Sequence, residues 1–385
     1  MKKNIIAYMK KEIVLSIAVI LAIISMFFVH PDQKYLSYID LRTLAILFSL
    51  MAIVAGFKKL GILEWLAEKL LSIVKTIPGM ALILVFLCFF CSMLITNDVA
   101  LITFVPFTIT LMGKMDVHTQ KYWMYRLIVM QTIAANLGSM FTPIGNPQNL
   151  YLSGKTGLSF STFLTLMLPY TALSGFLLLL WIMAVSRKSH ALTNPPQKIH
   201  TCHQLSDISK NSGELTVYLI LLFICLLAVG HILPYPLAFT AVLIYMLAKK
   251  RNLFLAIDYS LLGTFAALFI FIGNLGRIPA FCTFLKQLIH GREVLTAVLA
   301  SQVMSNVPAA ILLSGFTPNI KALIVGTNLG SLGTLIASMA SLISFKYVAA
   351  EKNGKKGHYL TLFSVANLIF LAVLSCLYAV SFALF

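Results

Sequence analysis

The chain has 385 residues, 59% hydrophobic and 11% charged, and its formal net charge is +17. A soluble domain carries about 25% charged residues, and a chain this apolar could not cover its own surface in water, which excludes an ordinary soluble protein. The positive charge does not point to nucleic acid. Basic residues sit at the ends of apolar runs (Lys2, Lys3, Lys10, Lys11; Lys58, Lys59; Lys249, Lys250, Arg251; Lys352, Lys355, Lys356), the pattern of cytoplasm-facing topology signals.

Runs 13–29, 160–185 and 362–384 are long enough for a hydrocarbon core that needs ~20 helical residues. No period-two pattern with turns supports a β-barrel. In chain order, the first run is read as a span rather than a signal peptide, because it is too long and lacks a small-residue cleavage pattern. A helix at 42–57 and an amphipathic segment at 60–75 follow. A helical hairpin at 77–113 is interrupted at Thr96-Asn97-Asp98, and a helix at 121–154 is broken around Gly145-Asn146-Pro147. A span at 160–185, a polar loop at 186–213 and a linking span at 215–230 lead to the second half.

That half repeats the first. Helix 233–248 matches 12–29, and Ile257-Asp258 matches Ile39-Asp40 with the aspartate as helix N-cap each time. Segment 279–291 is again amphipathic, and a second hairpin, 293–316, breaks at Ser305-Asn306-Val307-Pro308. Asn328-Leu-Gly-Ser repeats Asn136-Leu-Gly-Ser, and 359–384 matches 160–185. The expected fold is an all-α polytopic membrane protein of two inverted-topology repeats, each with a re-entrant helical hairpin and a broken transmembrane helix. Residues 1–185 form the first repeat, 186–230 a cytoplasmic loop and linking helix, and 231–385 the second repeat. With the N-terminus inside, this topology puts most of the 29 lysines and arginines on the cytoplasmic side and the C-terminus outside. Loops 113–121 and 186–213 then face the cytoplasm, and 317–321 the exterior of the plasma (cell inner) membrane.

Non-helical backbone at membrane depth survives only where its polar groups find ligands, ions or protein. Four such breaks occur here, at the tips near Asn97 and Asn306 and the unwound stretches near Gly145 and Ala337. Each tip offers helix N-terminal amides that attract anions, and carbonyl and Asn oxygens that suit sodium. Together they fit a small anion moved with cations. Asp98 alone among the acids lies at mid-membrane depth, where a carboxylate costs ~3 kcal/mol or more. It reads either as a capping residue for the amides of Ala100 and Leu101, or as the coupling-ion or proton ligand. Asn136 and Asn328 read either as close-packing bridges or as site residues. Cys88 and Cys91 read as packing residues, and His200, Cys202 and His203 as ordinary loop residues without a fourth metal ligand. Neither a zinc-protease His-Glu-x-x-His, a phosphate-binding Gly-rich loop with Lys, nor a nucleophile elbow occurs, so an enzyme is not expected, and no cofactor beyond a sodium ion.

Thr96-Asn97-Asp98-Val99-Ala100-Leu101 with Val105-Pro106-Phe107 resembles the first-hairpin motif of the arsenite-permease branch of the ion transporter superfamily. Thr142-Pro143-Ile144-Gly145-Asn146-Pro147-Gln148-Asn149 is similar to the Gly-Thr-Pro-Pro-Asn or Gly-Asp-Pro-Pro-Asn stretch of that superfamily, which includes citrate transporters and divalent anion–sodium symporters. Ser305-Asn306-Val307-Pro308 resembles the second-hairpin motif. The resemblance implies a homodimer in the lipid bilayer with a scaffold, a mobile transport part and elevator-type alternating access. It implies tip ligands for substrate and ion at Asn97 and Asn306, with cation sites completed by Gly145, Asn146, Ala337 and Ser338; Thr96, Ser305 and Pro308 beside the tip asparagines are further candidate substrate contacts. Cation sites would involve Asp98, Asn97, Asn136, Gly145, Asn146, Asn306, Asn328, Ala337 and Ser338. Dicarboxylate carriers of the superfamily repeat Ser-Asn-Thr at both tips; this chain has Thr-Asn-Asp and Ser-Asn-Val. The expected function is secondary transport of a small anion coupled to sodium or protons; the alternatives are sodium/proton antiport and arsenite-type efflux, both using Asp98.

Overall fold

The structure, a computed structural model, describes residues 12–74, 76–188, 212–351 and 356–384. The His200, Cys202 and His203 group, and the lysines at 2, 3, 10 and 11, lie outside the described residues. Among those described there is no strand. The first half comprises α1 (Ile13–Phe28), a short α2 (Lys34–Tyr38), α3 (Leu41–Lys59), α4 (Ile62–Leu71), α5 (Ile77–Ile95), α6 (Asn97–Met112), α7 (Val117–Ser139), α8 (Pro147–Thr156) and α9 (Phe160–Lys188). After the linking helix α10 (Ser212–Val229) come α11 (Tyr235–Lys249), α12 (Tyr259–Leu275), α13 (Pro279–Ile289), α14 (Glu293–Met304), α15 (Asn306–Ser314), α16 (Ile320–Leu329), α17 (Met339–Ala350) and α18 (Lys356–Leu384).

Local chemistry sets these boundaries. Asp40 and Asp258 start α3 and α12 by accepting the amides of Thr43 and Leu261, both at 3.0 Å. Asp116 does the same for Thr119 at 2.9 Å, so α7 begins at Val117, ahead of the expected 121. Gly61, with φ 67°, turns the chain from α3 into the amphipathic α4, where Lys69 sits 4.8 Å above the Trp65 ring. A Trp–Lys pair of this kind suits a membrane–water interface. In the second half α12 and α13 meet at 104°.

Helices 41–59, 77–95, 160–187 and 356–381 are long and apolar enough to cross a membrane, or five spans if the bent α12–α13 pair counts as one. The protein is thus a polytopic, multi-pass membrane protein. Helix α5 has the length to cross, yet α5 and α6 pack against each other across Thr96 and both lie on α7. Arms α14 and α15 lie on α16 in the same way. The opening helix of each half packs on the second helix of the other, α1 on α12 and α11 on α3. Arm α6 meets α17, and arm α15 meets α8, so each hairpin touches the other half's broken helix.

Residues 127–139 of α7 are buried on every side, Gln131, Thr132, Asn136 and Ser139 included. A helix enclosed in this way needs small residues where neighbouring backbones cross it. A methyl group on Gly138 would overlap the Phe89 carbonyl oxygen of α5, and one on Gly330, at the equivalent position, would fall 2.6 Å from Ser301 Oγ of α14. At Gly175 in α9 the same methyl would meet only the Phe89 ring, at 3.5 Å. Gly138→Ala should therefore destabilise the protein by about 1–3 kcal/mol through overpacking against rigid backbone. Gly175→Ala should be neutral or slightly stabilising. Melting curves of the two variants in detergent, read side by side, check this.

Candidate functional site

The hairpin tips share an uncommon backbone. Thr96 has φ 74° and ψ 150°, Ser305 φ 75° and ψ 156°. Non-glycine residues there cost about 1–3 kcal/mol each and persist only where surrounding bonds hold them. Here the Thr96 carbonyl accepts the Ala100 amide at 3.2 Å, and the Ser305 carbonyl the Ala309 amide at 3.1 Å. The unwound stretches end alike too: Asn146 (φ −142°, ψ 145°) precedes α8 and Ser338 (φ −141°, ψ 135°) precedes α17. Each tip is tied to its own half's break. The Asn97 amide donates to the Gly145 carbonyl at 3.3 Å, and Ser305 Oγ to the Ala337 carbonyl at 3.4 Å.

The breaks are in turn held by the opposite half. Asn136 Oδ1 accepts from Asn97 Nδ2 and from Ser338 Oγ, both at 3.0 Å, while Asn136 Nδ2 donates to Ser341 Oγ at 3.3 Å. At the equivalent place Asn328 Oδ1 accepts from Asn146 Nδ2 at 3.3 Å, and Asn328 Nδ2 donates to Asn149 Oδ1 at 2.6 Å. The two asparagines thus bridge helices across both breaks. Further bonds recur: Ser139 Oγ donates to the Asn136 carbonyl and Ser331 Oγ to that of Asn328. Thr142 Oγ1 donates to the Met93 carbonyl and Thr334 Oγ1 to that of Gln302.

Asp98 corrects one expectation. A cap on Ala100 and Leu101 does not form, since the Ala100 amide goes to the Thr96 carbonyl and Asn97 Oδ1 takes the Asp98 amide at 2.9 Å. Capping belongs to the non-helical flanking residue, and that residue is Thr96, because Asp98 already lies inside α6. The carboxylate is half-buried, and its Oδ1 is shut off from solvent with no hydrogen-bond partner. Asn146 Oδ1 is buried and unpartnered as well. Unused buried oxygens of this kind are ligands that a sodium ion or a proton could take up. Among the described residues no group of three or more His, Cys, Asp or Glu could hold a transition metal.

The expected residues fall into one bonded network, which runs from Asn97 through Asn136 to Ser338, and from Ala337 to Ser305. Asn306 and Pro308 are buried in the first turn of α15, on the same tip. Several participants escaped the sequence reading. Asn149 and Ser341 stand three residues after Asn146 and Ser338, so the repeat alignment carries a signal for them. Gln302, whose amide spans Thr334 N, Gly330 O and Leu332 O at 2.9–3.1 Å, carries none. Removing a bridging amide leaves several buried groups unpaired, at about 1–3 kcal/mol each. Asn136→Ala should lower stability by at least that much. Ser338→Ala should cost less in the Asn136→Ala background than alone, with an interaction energy of about 0.5–3 kcal/mol; a thermal double-mutant cycle measures it.

Comparison with known proteins agrees with this architecture. The family described as "Citrate transporter" matches residues 5–321. The inner membrane protein YbiR of Escherichia coli is 31% identical over 355 residues, 91% of this chain and 90% of the relative. An uncharacterized transporter of Methanocaldococcus jannaschii is 30% identical over 360 residues, 94% of each. A silicon efflux transporter of Oryza sativa subsp. japonica is 30% identical over 151 residues, 37% of this chain and 28% of the relative. With two broken helices braced by the opposite halves, a family match over residues 5–321 and relatives aligned along nearly the whole chain, this multi-pass membrane protein belongs to the citrate transporter family.

Proposed function

We propose that the chain is a secondary active transporter that moves a small anion, coupled to sodium or protons, by elevator-type alternating access. The observation that carries this reading is the pair of unpartnered buried oxygens, Asp98 Oδ1 and Asn146 Oδ1, set at two half-helix starts beside the bonded asparagine network. Helix N-termini supply positive partial charge to an anion, and the spare oxygens supply ligands to a cation. Helices α1, α3, α11 and α12 pair across the two halves, the arrangement a scaffold needs, and the hairpins and broken helices are bonded to one another in a body that, in this reading, moves against them along the α12–α15 and α3–α8 contacts. In this reading two copies dimerise through the scaffold. The N-terminus is cytoplasmic, the C-terminus lies outside, and the second repeat is inverted relative to the first.

Citrate, the substrate in the family's description, fits the tips less well than a smaller anion. An ionised Asp98 repels a tricarboxylate, and the second tip has Val307 where a hydroxyl would serve. A second reading, proton-linked or sodium-linked efflux of a small neutral hydroxide, draws on two observations. The expected site residues include no lysine or arginine, and one relative is a silicon efflux transporter. In both readings Asp98 is the coupling group.

Flux into proteoliposomes, with and without sodium and proton gradients, tests transport itself; absence of any gradient-dependent or substrate-dependent flux across anions and neutral hydroxides sinks the proposal. Because Asp98 Oδ1 holds no structural bond, Asp98→Asn and Asp98→Ala should both keep the fold. Gradient-driven uptake should drop to the level of empty vesicles in both, while gradient-independent exchange persists. Flux should vary with pH in the wild type if a proton is carried at Asp98, and that dependence should vanish in Asp98→Asn. An Asn variant that still couples normally ends the role.

Topology has its own test. Single cysteines placed in 113–116 and in 317–319, in a background without the six native cysteines, should label from opposite sides of intact cells. Labelling of both hairpin bases from one side would rule out inversion.

A further inference from the structure

Gln148 lies in the first turn of α8, directly after Pro147, and is 0% exposed. Neither Nε2 nor Oε1 of its amide has a hydrogen-bond partner. A primary amide offers two donors and two acceptor sites, and burying all of them idle is strongly disfavoured. The fold does not demand this amide. The equivalent position in the second half is Ala340, and the motif that this stretch resembles has a second proline there, with no polar side chain at all.

The surroundings of Gln148 follow from bonds on either side of it. Asn146, just before α8, reaches Asn328 at the end of α16, beside the second break. At the other end of α8, Lys155 Nζ donates to the Ser314 carbonyl at 2.7 Å, and the Tyr151 hydroxyl pairs with Ser314 Oγ at 3.0 Å. Helices α8 and α15 therefore run in the same direction away from the centre, packed along their lengths. Residues three apart on a helix share a face, so Gln148, one turn ahead of Tyr151, lies on the α15 side. The first turns of α15, which begin at the tip residue Asn306, run along that side. Two residues away, Asn146 Oδ1 also waits unpartnered.

We infer that Gln148 binds the transported solute and selects, among small anions, those that carry a hydroxyl group. Its Nε2 donates to an anionic oxygen, and its Oε1 accepts from the hydroxyl. The inference rests on the anion-transport reading above and adds to it a chemical class. A site with a buried acceptor discriminates against an analogue without the hydroxyl, because that acceptor is then left unpaired a second time.

Two matched pairs isolate the hydroxyl: hydrogen phosphate against sulfate, and malate against succinate. Uptake of each is measured in proteoliposomes holding the full-length protein. In whichever pair the wild type moves, the hydroxyl-bearing member should be favoured by roughly tenfold or more. Gln148→Leu and Gln148→Pro should bring that ratio close to one. The proline variant guards against misfolding, since proline is tolerated in the first turn of a helix. Melting of Gln148→Leu gives a readout that needs no substrate: an idle amide predicts a midpoint equal to or above the wild type. A lower midpoint means that water or protein already satisfies the amide, and overturns the inference; so does an unchanged selectivity ratio in both variants. If the wild type moves none of the four anions, the hydroxyl-anion class fails, while the anion-transport reading falls only with the wider flux screen above. The melting result then decides alone whether Gln148 stands as a solute-facing amide.

Discussion

A main chain cannot leave helical form inside hydrocarbon unless every amide and carbonyl it exposes is paired, because no water is there to take them. Among the described residues the main chain leaves helical form at two hairpin tips and two unwound stretches, and each of these departures is paired by another. Thr96 and Ser305 turn back where Gly145 and Ala337 supply carbonyls within reach, and those stretches are held by Asn136 and Asn328 from the opposite halves. None of the four breaks is stable by its own sequence. The close crossings at Gly138 and Gly330, and the exchange of α6 and α15 onto the other half's broken helix, follow from the need to bring these groups within bonding distance.

The duplicated features and the single ones have different work. What occurs in both halves is architectural: the aspartate caps, the strained tips, the Asn-Leu-Gly-Ser crossings, the threonine bonds from Thr142 and Thr334. What occurs once breaks the symmetry. Asp98 stands opposite Val307, Gln148 opposite Ala340, and Gln302 opposite Met93. Gln302 is fully engaged in holding Gly330, Leu332 and Thr334. Asp98 and Gln148 keep polar atoms in reserve. Two near-identical frames are thus left with a charged side at Asp98 and a neutral one at Gln148.

Most of the frame was legible in the residues. Apolar runs, the repeated Asn-Leu-Gly-Ser and the Asn at each tip placed the helices and the breaks within a few residues, because hydrophobic length and helix-breaking chemistry are local properties. The partners of Asn136 were not legible. Besides Asn97, these are Ser338 and Ser341, more than 200 residues away, and no local pattern encodes which side chain a buried amide will meet. Asp98 was open to misreading for a related reason. Capping depends on which residue leaves the helical backbone, and that residue is a threonine at positive φ, a conformation no propensity assigns to it. Gln148 stood in plain view within a motif, yet only its enclosure and its lack of partners distinguish it from a surface glutamine.

The cross-bracing also bears on how such a chain is made. Asn136 waits for Ser338 across 202 positions, and ribosomes add roughly 5–20 residues per second. For about 10–40 seconds the first half therefore sits in or beside the bilayer with an opened helix and no brace. During that interval its loose carbonyls must be met by water in the insertion machinery, by lipid headgroups or by a chaperone. A slowly translated or stalled chain prolongs that exposure, so the speed of synthesis becomes a determinant of yield for a protein whose finished form gives no sign of it.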